Sequence, residues 1–240
     1  MDSSERNAAA PRPVWARALR AVLVVLLPVV LVLTNVRLLM TRAVLDVEYR
    51  MPGFPEDPFG FSREDRLHWA PIALDYLLNN EGTAFLGDLR FEDGAPVYNV
   101  RELRHMDDVK RLAQAAVRVW EGGLVLAAAA LAFLFLARKG REAWRALSIG
   151  SVLTFVLMIA LAVGLVVGFS AVFVGFHQVL FQGDTWLFFY SDTLIRLFPE
   201  RFWQDAFVLI ALATLAEAGA IYLGARRWGR ALEAKGSSTK

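Results

Sequence analysis

The chain reads as an all-α integral membrane protein, with four transmembrane helices and a small outer, extracytoplasmic domain between the first and the second. Three observations predict this. Hydrophobic residues fill 56% of the 240 positions and the mean hydropathy is +0.42, too apolar for a soluble domain built on a single core. Four stretches are long enough to cross a hydrocarbon layer of about 30 Å, which takes roughly 20 helical residues. Arginine and lysine cluster beside alternate span ends, as they do on cytoplasmic flanks.

Residues 1–18 are expected to form a disordered cytoplasmic tail, with Arg6, Arg12 and Arg17 in it. The first span covers 19–40. A basic stretch precedes it, as in a signal peptide, but it ends in Thr34-Asn35-Val36-Arg37 without a small-residue cleavage pattern, so it reads as an uncleaved anchor. The outer domain, 41–98, opens with the alternating stretch Arg42 to Tyr49, which suits a short strand or an extended lead-out. Prolines and glycines from Met51 to Gly60 exclude regular helix there. Ser62 with Asp65 fits a capping box opening a short helix, and Pro71 to Leu78 fits another. A unit this small needs packing on the bilayer or the spans.

Asn99 followed by Glu102 predicts an N-cap and a helix from about Val100. Residues 99–121 then form an amphipathic helix on the membrane surface, until Gly122-Gly123 lets the chain turn inward as the second span, 122–137. The loop 138–145 holds Arg138, Lys139, Arg141 and Arg145 and is expected in the cytoplasm. The third span, 146–176, leads into 177–205, a loop so rich in aromatic rings that it belongs in the headgroup zone. The fourth span, 206–224, carries Glu217 towards its cytoplasmic end, and 225–240 is a basic cytoplasmic tail. Both termini are thus expected on the cytoplasmic side of the membrane, with any site on the extracytoplasmic side.

The absence of cysteine removes thiolate nucleophiles and cysteine metal sites. The net charge of +2 is accounted for by topology and points to no nucleic acid. Titratable chemistry concentrates at the outer edge. His105 lies in the second turn of its predicted helix and His177 where the third span emerges, so two imidazoles share the depth at which lipid ester bonds lie. This pairing points to acyl chemistry on a lipid or lipid-modified substrate. Asp108 stands three residues from His105, close enough on a helix to orient the ring, and Asp107 is the alternative. Asp184 and Asp192, set among Phe181, Trp186, Phe188 and Tyr190, need partners that His177, His105 or Arg196 would supply. Arg37 and Arg104 offer positive charge to a phosphate, an ester carbonyl or an oxyanion.

The segment Glu102-Leu103-Arg104-His105-Met106-Asp107-Asp108-Val109-Lys110 and the segment Phe176-His177-Gln178-Val179-Leu180-Phe181, followed by Trp186 and by Asp192 to Pro199, resemble the bacterial lipoprotein intramolecular transacylase family. The resemblance covers nearly the whole chain. It implies four spans, an outer domain between the first two, and a motif of the His-Met-any-Asp-Val-Lys type before the second. It implies also that the sn-2 acyl chain of a diacylglyceryl-modified lipoprotein passes to that lipoprotein's own α-amine, with His105 and His177 as the working histidines. On this reading His105 is the first choice for base, oriented by Asp108 or Asp107, while His177, Arg37 or Arg104 meets the oxyanion. Asp184, Trp186, Tyr190 and Asp192 are expected to contact substrate or surrounding membrane lipid. No cofactor or metal is expected. A metalloenzyme using His105, His177 and Asp108 lacks a paired-histidine motif. The alternative is a non-catalytic lipid-binding or assembly protein whose histidines pack in the headgroup layer.

Overall fold

A computed structural model describes residues 13–237, so the tails at 1–12 and 238–240, including the expected disorder there, lie outside the described residues. Eight helices are present among the described residues. Four of them are long and apolar enough to cross a membrane. These are α1 (Val14–Leu39), α5 (Val100–Leu136), α6 (Gly140–Leu180) and α8 (Glu200–Ser237). Short helices fill the connections: α2 (Arg42–Glu48), α3 (Arg63–Leu78), α4 (Ala84–Gly87) and α7 (Thr193–Leu197).

Without a hydrophobic force between helices in lipid, close backbone approach has to hold the bundle, and small residues permit it. Ala16, Ala130, Ala143 and Ala146 are buried together with Leu23 and Leu134. Gly123 does not turn the chain as expected. Instead α5 runs unbroken through it, and a methyl group there would stand 3.0 Å from Val30 Cγ2 of α1. Gly150 of α6 is as tight, 3.1 Å from Leu27 Cβ. One end of the bundle gathers three of its basic segments. Arg20 of α1 pairs with Glu142 at 3.1 Å, and Trp144 stacks on Trp228 of α8 at 5.3 Å.

The third apolar stretch is not one straight span. Gly168 leaves helical geometry, with φ −172° and ψ 81°. A methyl group on Gly164 would lie only 3.3 Å from Val172 Cγ2, whereas eight residues of straight helix cover about 12 Å. The part after Gly168 therefore folds back as a short arm carrying His177. Phe169 and Phe176 of the arm lie 6.2 and 6.0 Å from Phe207 of α8. The physical reason is length: crossing takes roughly 20 residues, and the surplus has to bend where glycine weakens the helix.

Residues 40–99 fold onto the spans. The expected strand at Arg42 to Tyr49 is the helix α2, because Leu45, Glu48 and Tyr49 bury one helical face while the alternating pattern is too short to decide. The Ser62 capping box forms as expected, with Ser62 Oγ accepting from Asp65 N at 3.1 Å and Asp65 Oδ2 accepting from Ser62 N at 2.8 Å. Pro71 does not start a second helix. It lies inside α3, which continues because Ala70, Ala73 and Tyr76 are buried on either side. The core of this region is shared rather than closed on itself: Leu45, Tyr49, Ala73, Tyr76, Leu86 and Val97 pack with Met106 of α5 and with Leu194 and Leu197 of α7.

Candidate active site

Asn99 opens α5 as expected, its Oδ1 accepting from Arg101 N and Glu102 N at 3.0 Å each. One turn on, His105 is directed into the space between α5 and the arm of α6. Its ring stacks on His177, with centroids 6.1 Å apart and planes 24° off parallel. Both histidines are buried to 8% exposure. Phe181 and Phe188 meet the His105 ring edge-on at 5.0 and 5.2 Å, and Trp186 covers His177 at 5.1 Å. The fold thus brings two histidines that are distant in the chain side by side.

The two rings differ in their hydrogen bonds. His177 Nδ1 lies 2.7 Å from the Phe173 carbonyl. A carbonyl can only accept, so Nδ1 carries the proton and Nε2 keeps its lone pair in the neutral ring. His105 Nδ1 is buried without a partner, and it is the only ring nitrogen of the pair so sealed. Neither Nε2 makes a hydrogen bond among the described residues.

The expected carboxylate beside His105 is absent. Asp107 pairs with Arg111 at 2.6 Å on the outer face of the helix. Asp108 instead accepts from the Thr185 hydroxyl at 3.3 Å. Helical spacing brought these residues near His105, but tertiary partners took their side chains away from the ring.

Asp192 finds partners other than the histidines or Arg196. Asn99 Nδ2 donates to it at 3.0 Å, Arg101 at 3.1 Å and Phe189 N at 2.9 Å. Arg196 pairs with Asp57 at 2.9 Å. Asp184 and Tyr190 are exposed, so the loop does not bury the former carboxylate as expected. Arg37 donates to the Met40 carbonyl at the end of its own helix, 3.4 Å away, and Arg104 is exposed. Trp186 is the one expected contact residue that lies against the histidine pair.

Two further residues had no assigned role from sequence beyond a cap or a motif position. Glu102 is 1% exposed and completes its capping box through Oε2 at 2.8 Å from Asn99 N. Its other oxygen accepts from Leu194 N at 2.7 Å, which ties the aromatic loop to the turn before His105. The cap was readable from spacing; the second bond joins residues far apart in the chain and left no local signal. Lys110 is buried, with its ammonium on Asn79 Oδ1 at 2.9 Å and 4.0 Å from the Tyr76 ring centroid. It therefore holds the end of α3 against α5. Among the described residues no group of three histidine or acidic side chains is placed to hold a metal.

Deeper in the bundle, Asn35 Nδ2 donates to Glu217 Oε2 at 2.9 Å and to Thr214 Oγ1 at 3.1 Å. Glu217 is thus tied across the bundle to the C-terminal part of α1. A polar group inside the membrane segment needs such a partner.

The family model described as lipoprotein intramolecular transacylase Lit matches residues 21–203. A protein of Aquifex aeolicus (strain VF5), described as uncharacterized, is 29% identical over 191 residues, covering 80% of this chain and 85% of that protein. The solved structure of the membrane integral lipoprotein intramolecular transacylase Lit from Bacillus cereus is similar in fold, with a TM-score of 0.78 at 21% identity over 93% of this chain and 100% of that one. A structure of the same protein with one histidine replaced by arginine gives 0.61 at 20% identity, over 94% of this chain and 95% of that one.

Proposed function

Since the chain belongs to the lipoprotein intramolecular transacylase family, we propose that it moves the sn-2 acyl chain of a diacylglyceryl-modified lipoprotein onto that lipoprotein's α-amine. The product is the N-acyl, S-monoacylglyceryl (lyso) form. The observation that carries the mechanism is the stacked histidine pair with His177 Nδ1 held on the Phe173 carbonyl.

An α-ammonium has a reference pKa of about 7.7 to 8.0, so a base must take its proton before attack. His177 Nε2 is that base, because its tautomer is preset. This reverses the order expected from sequence, which put the base on His105. The amine nitrogen then bonds to the ester carbonyl carbon, and the bond from that carbon to the sn-2 oxygen breaks. One nitrogen proton ends on the sn-2 oxygen as a hydroxyl; the other, from the ammonium, is released. His105 Nε2–H donates a hydrogen bond to the developing oxyanion, a role that suits a ring whose tautomer no protein partner fixes. His177, once it has taken the second nitrogen proton, passes it to the leaving sn-2 oxygen. Because amine and ester belong to one molecule, holding them together supplies several kcal/mol of the barrier. Trp186, Phe181 and Phe188 keep water away from the reacting groups.

The chain is a multi-pass membrane protein. The basic flanks at one end of the bundle support cytoplasmic termini, which puts the histidines, the outer region 41–98 and the aromatic loop on the extracytoplasmic side.

The test is mass spectrometry of N-terminal lipopeptides from a bacterium without lipoprotein N-acylation. Expression of the intact protein should convert the diacylglyceryl form to an equal-mass isomer with one acyl group on nitrogen. His177→Ala and His105→Ala, inserted at equal level, should not. An unchanged lipopeptide with the intact protein would overturn the assignment and favour a non-catalytic lipid-binding role.

A further inference from the structure

The carboxylates around the histidine pair are committed, with one exception. Glu102 is satisfied by two backbone N–H groups, Asp192 by Asn99 and Arg101, and Asp107 by Arg111. Asp184 is exposed, so water solvates it. Asp108 is partly buried and, among the described residues, has one neutral donor, the Thr185 hydroxyl at 3.3 Å, and no cation. The nearby cations do not serve it. Arg111 is on Asp107, Lys110 is on Asn79, and Arg104, four residues earlier, is exposed and forms no ion pair among the described residues.

Asp108 adjoins the histidine pair without touching it. It lies three residues beyond His105 on α5, its carboxylate drawn to Thr185 instead of the ring. Its donor Thr185 directly precedes Trp186, whose ring is 5.1 Å from His177. A half-buried carboxylate whose one protein donor is a neutral hydroxyl is a ready acceptor for a charged donor brought from outside.

We propose that Asp108 is the ammonium-binding residue of this site: it receives the positively charged N-terminal amine of the lipoprotein and presents it to His177. This rests on the transacylase reading above. The role is one of binding. A carboxylate favours the charged amine and does not help remove its proton, so its loss weakens capture more than turnover.

The experiment uses the full chain in detergent with a synthetic diacylglyceryl lipopeptide bearing a free α-amine, and its N-acetylated counterpart as a non-reacting competitor. For the intact protein the competitor should bind about tenfold more weakly than the free-amine substrate, one charge-assisted bond being worth that much. Asp108→Asn should raise KM about tenfold with kcat changed less, and leave inhibition by the N-acetylated peptide within about twofold. Asp108→Glu should restore the preference for the free amine. Equal affinity for the two peptides in the intact protein overturns the proposal without any variant. So does Asp108→Asn with an unchanged KM, or with both affinities falling together. If the intact protein does not turn the free-amine peptide over at all, the transacylase reading fails first, and the affinity comparison still tests ammonium binding.

Discussion

Replacing Glu102 should uncouple the aromatic loop from the histidine pair while leaving both histidines in the chain. Its carboxylate is 1% exposed and accepts Asn99 N at 2.8 Å and Leu194 N at 2.7 Å. Glu102→Ala strips the acceptor from both N–H groups at once. An unmet buried donor costs about 1–3 kcal/mol, so the two together cost about 2–6 kcal/mol before the vacated volume is counted. Glu102→Gln retains one carbonyl oxygen but turns an amide donor towards the other N–H, losing one of the two bonds and about 1–3 kcal/mol. The loop that loosens carries Phe188 and Trp186, the rings against His105 and His177. Misplacement of a reacting group by about 1 Å costs on the order of 10²-fold in rate. Thermal unfolding in detergent, read beside initial transacylation rates on a diacylglyceryl lipopeptide, should rank both stability and kcat as Glu, then Gln, then Ala. An Ala variant with intact melting temperature and full kcat would show that the buried bridge between Asn99 and Leu194 does not position the site.

Two other outcomes follow from buried charges away from the histidine pair. Burial, then the nearby Asp205 carboxylate, push Glu48 up from 4.5 to about 7, against an opposing pull from Arg201. A folded-state value above the unfolded one means that the stabilising contribution is complete below about pH 4.5 and is lost as pH rises through about 7. Melting temperature should therefore fall over that window, and Glu48→Gln should flatten the profile and melt higher above pH 7. Lys110→Met removes the ammonium from Asn79 and from the Tyr76 ring, at a cost of about 2–3 kcal/mol measured by unfolding. The same variant should keep most of its kcat, because Lys110 touches α3 and not the histidines; complete inactivity with an unchanged melting temperature would contradict that placement.

What the sequence determined alone is whatever depends on local composition and period. Runs of apolar residues of crossing length predicted the four spanning helices, since no other regular structure satisfies the backbone of a single apolar run in lipid. Asn99 and Glu102, and Ser62 and Asp65, predicted helix starts because a cap is made by residues three apart. His105 and His177 were legible through their depth and through the motifs around them. The tertiary structure decided everything that needed a partner from elsewhere in the chain. It gave Arg42 to Tyr49 a helical face to bury, folded α6 back at Gly168, and turned Gly123 from a hinge into a packing surface. It sent Asp107 to Arg111 and Asp108 to Thr185, and set His177 Nδ1 on a backbone carbonyl that no side-chain pattern records. Helix spacing specifies which residues can meet, but the lower free energy of one pairing over another is set by burial and by donors that arrive only when distant segments pack.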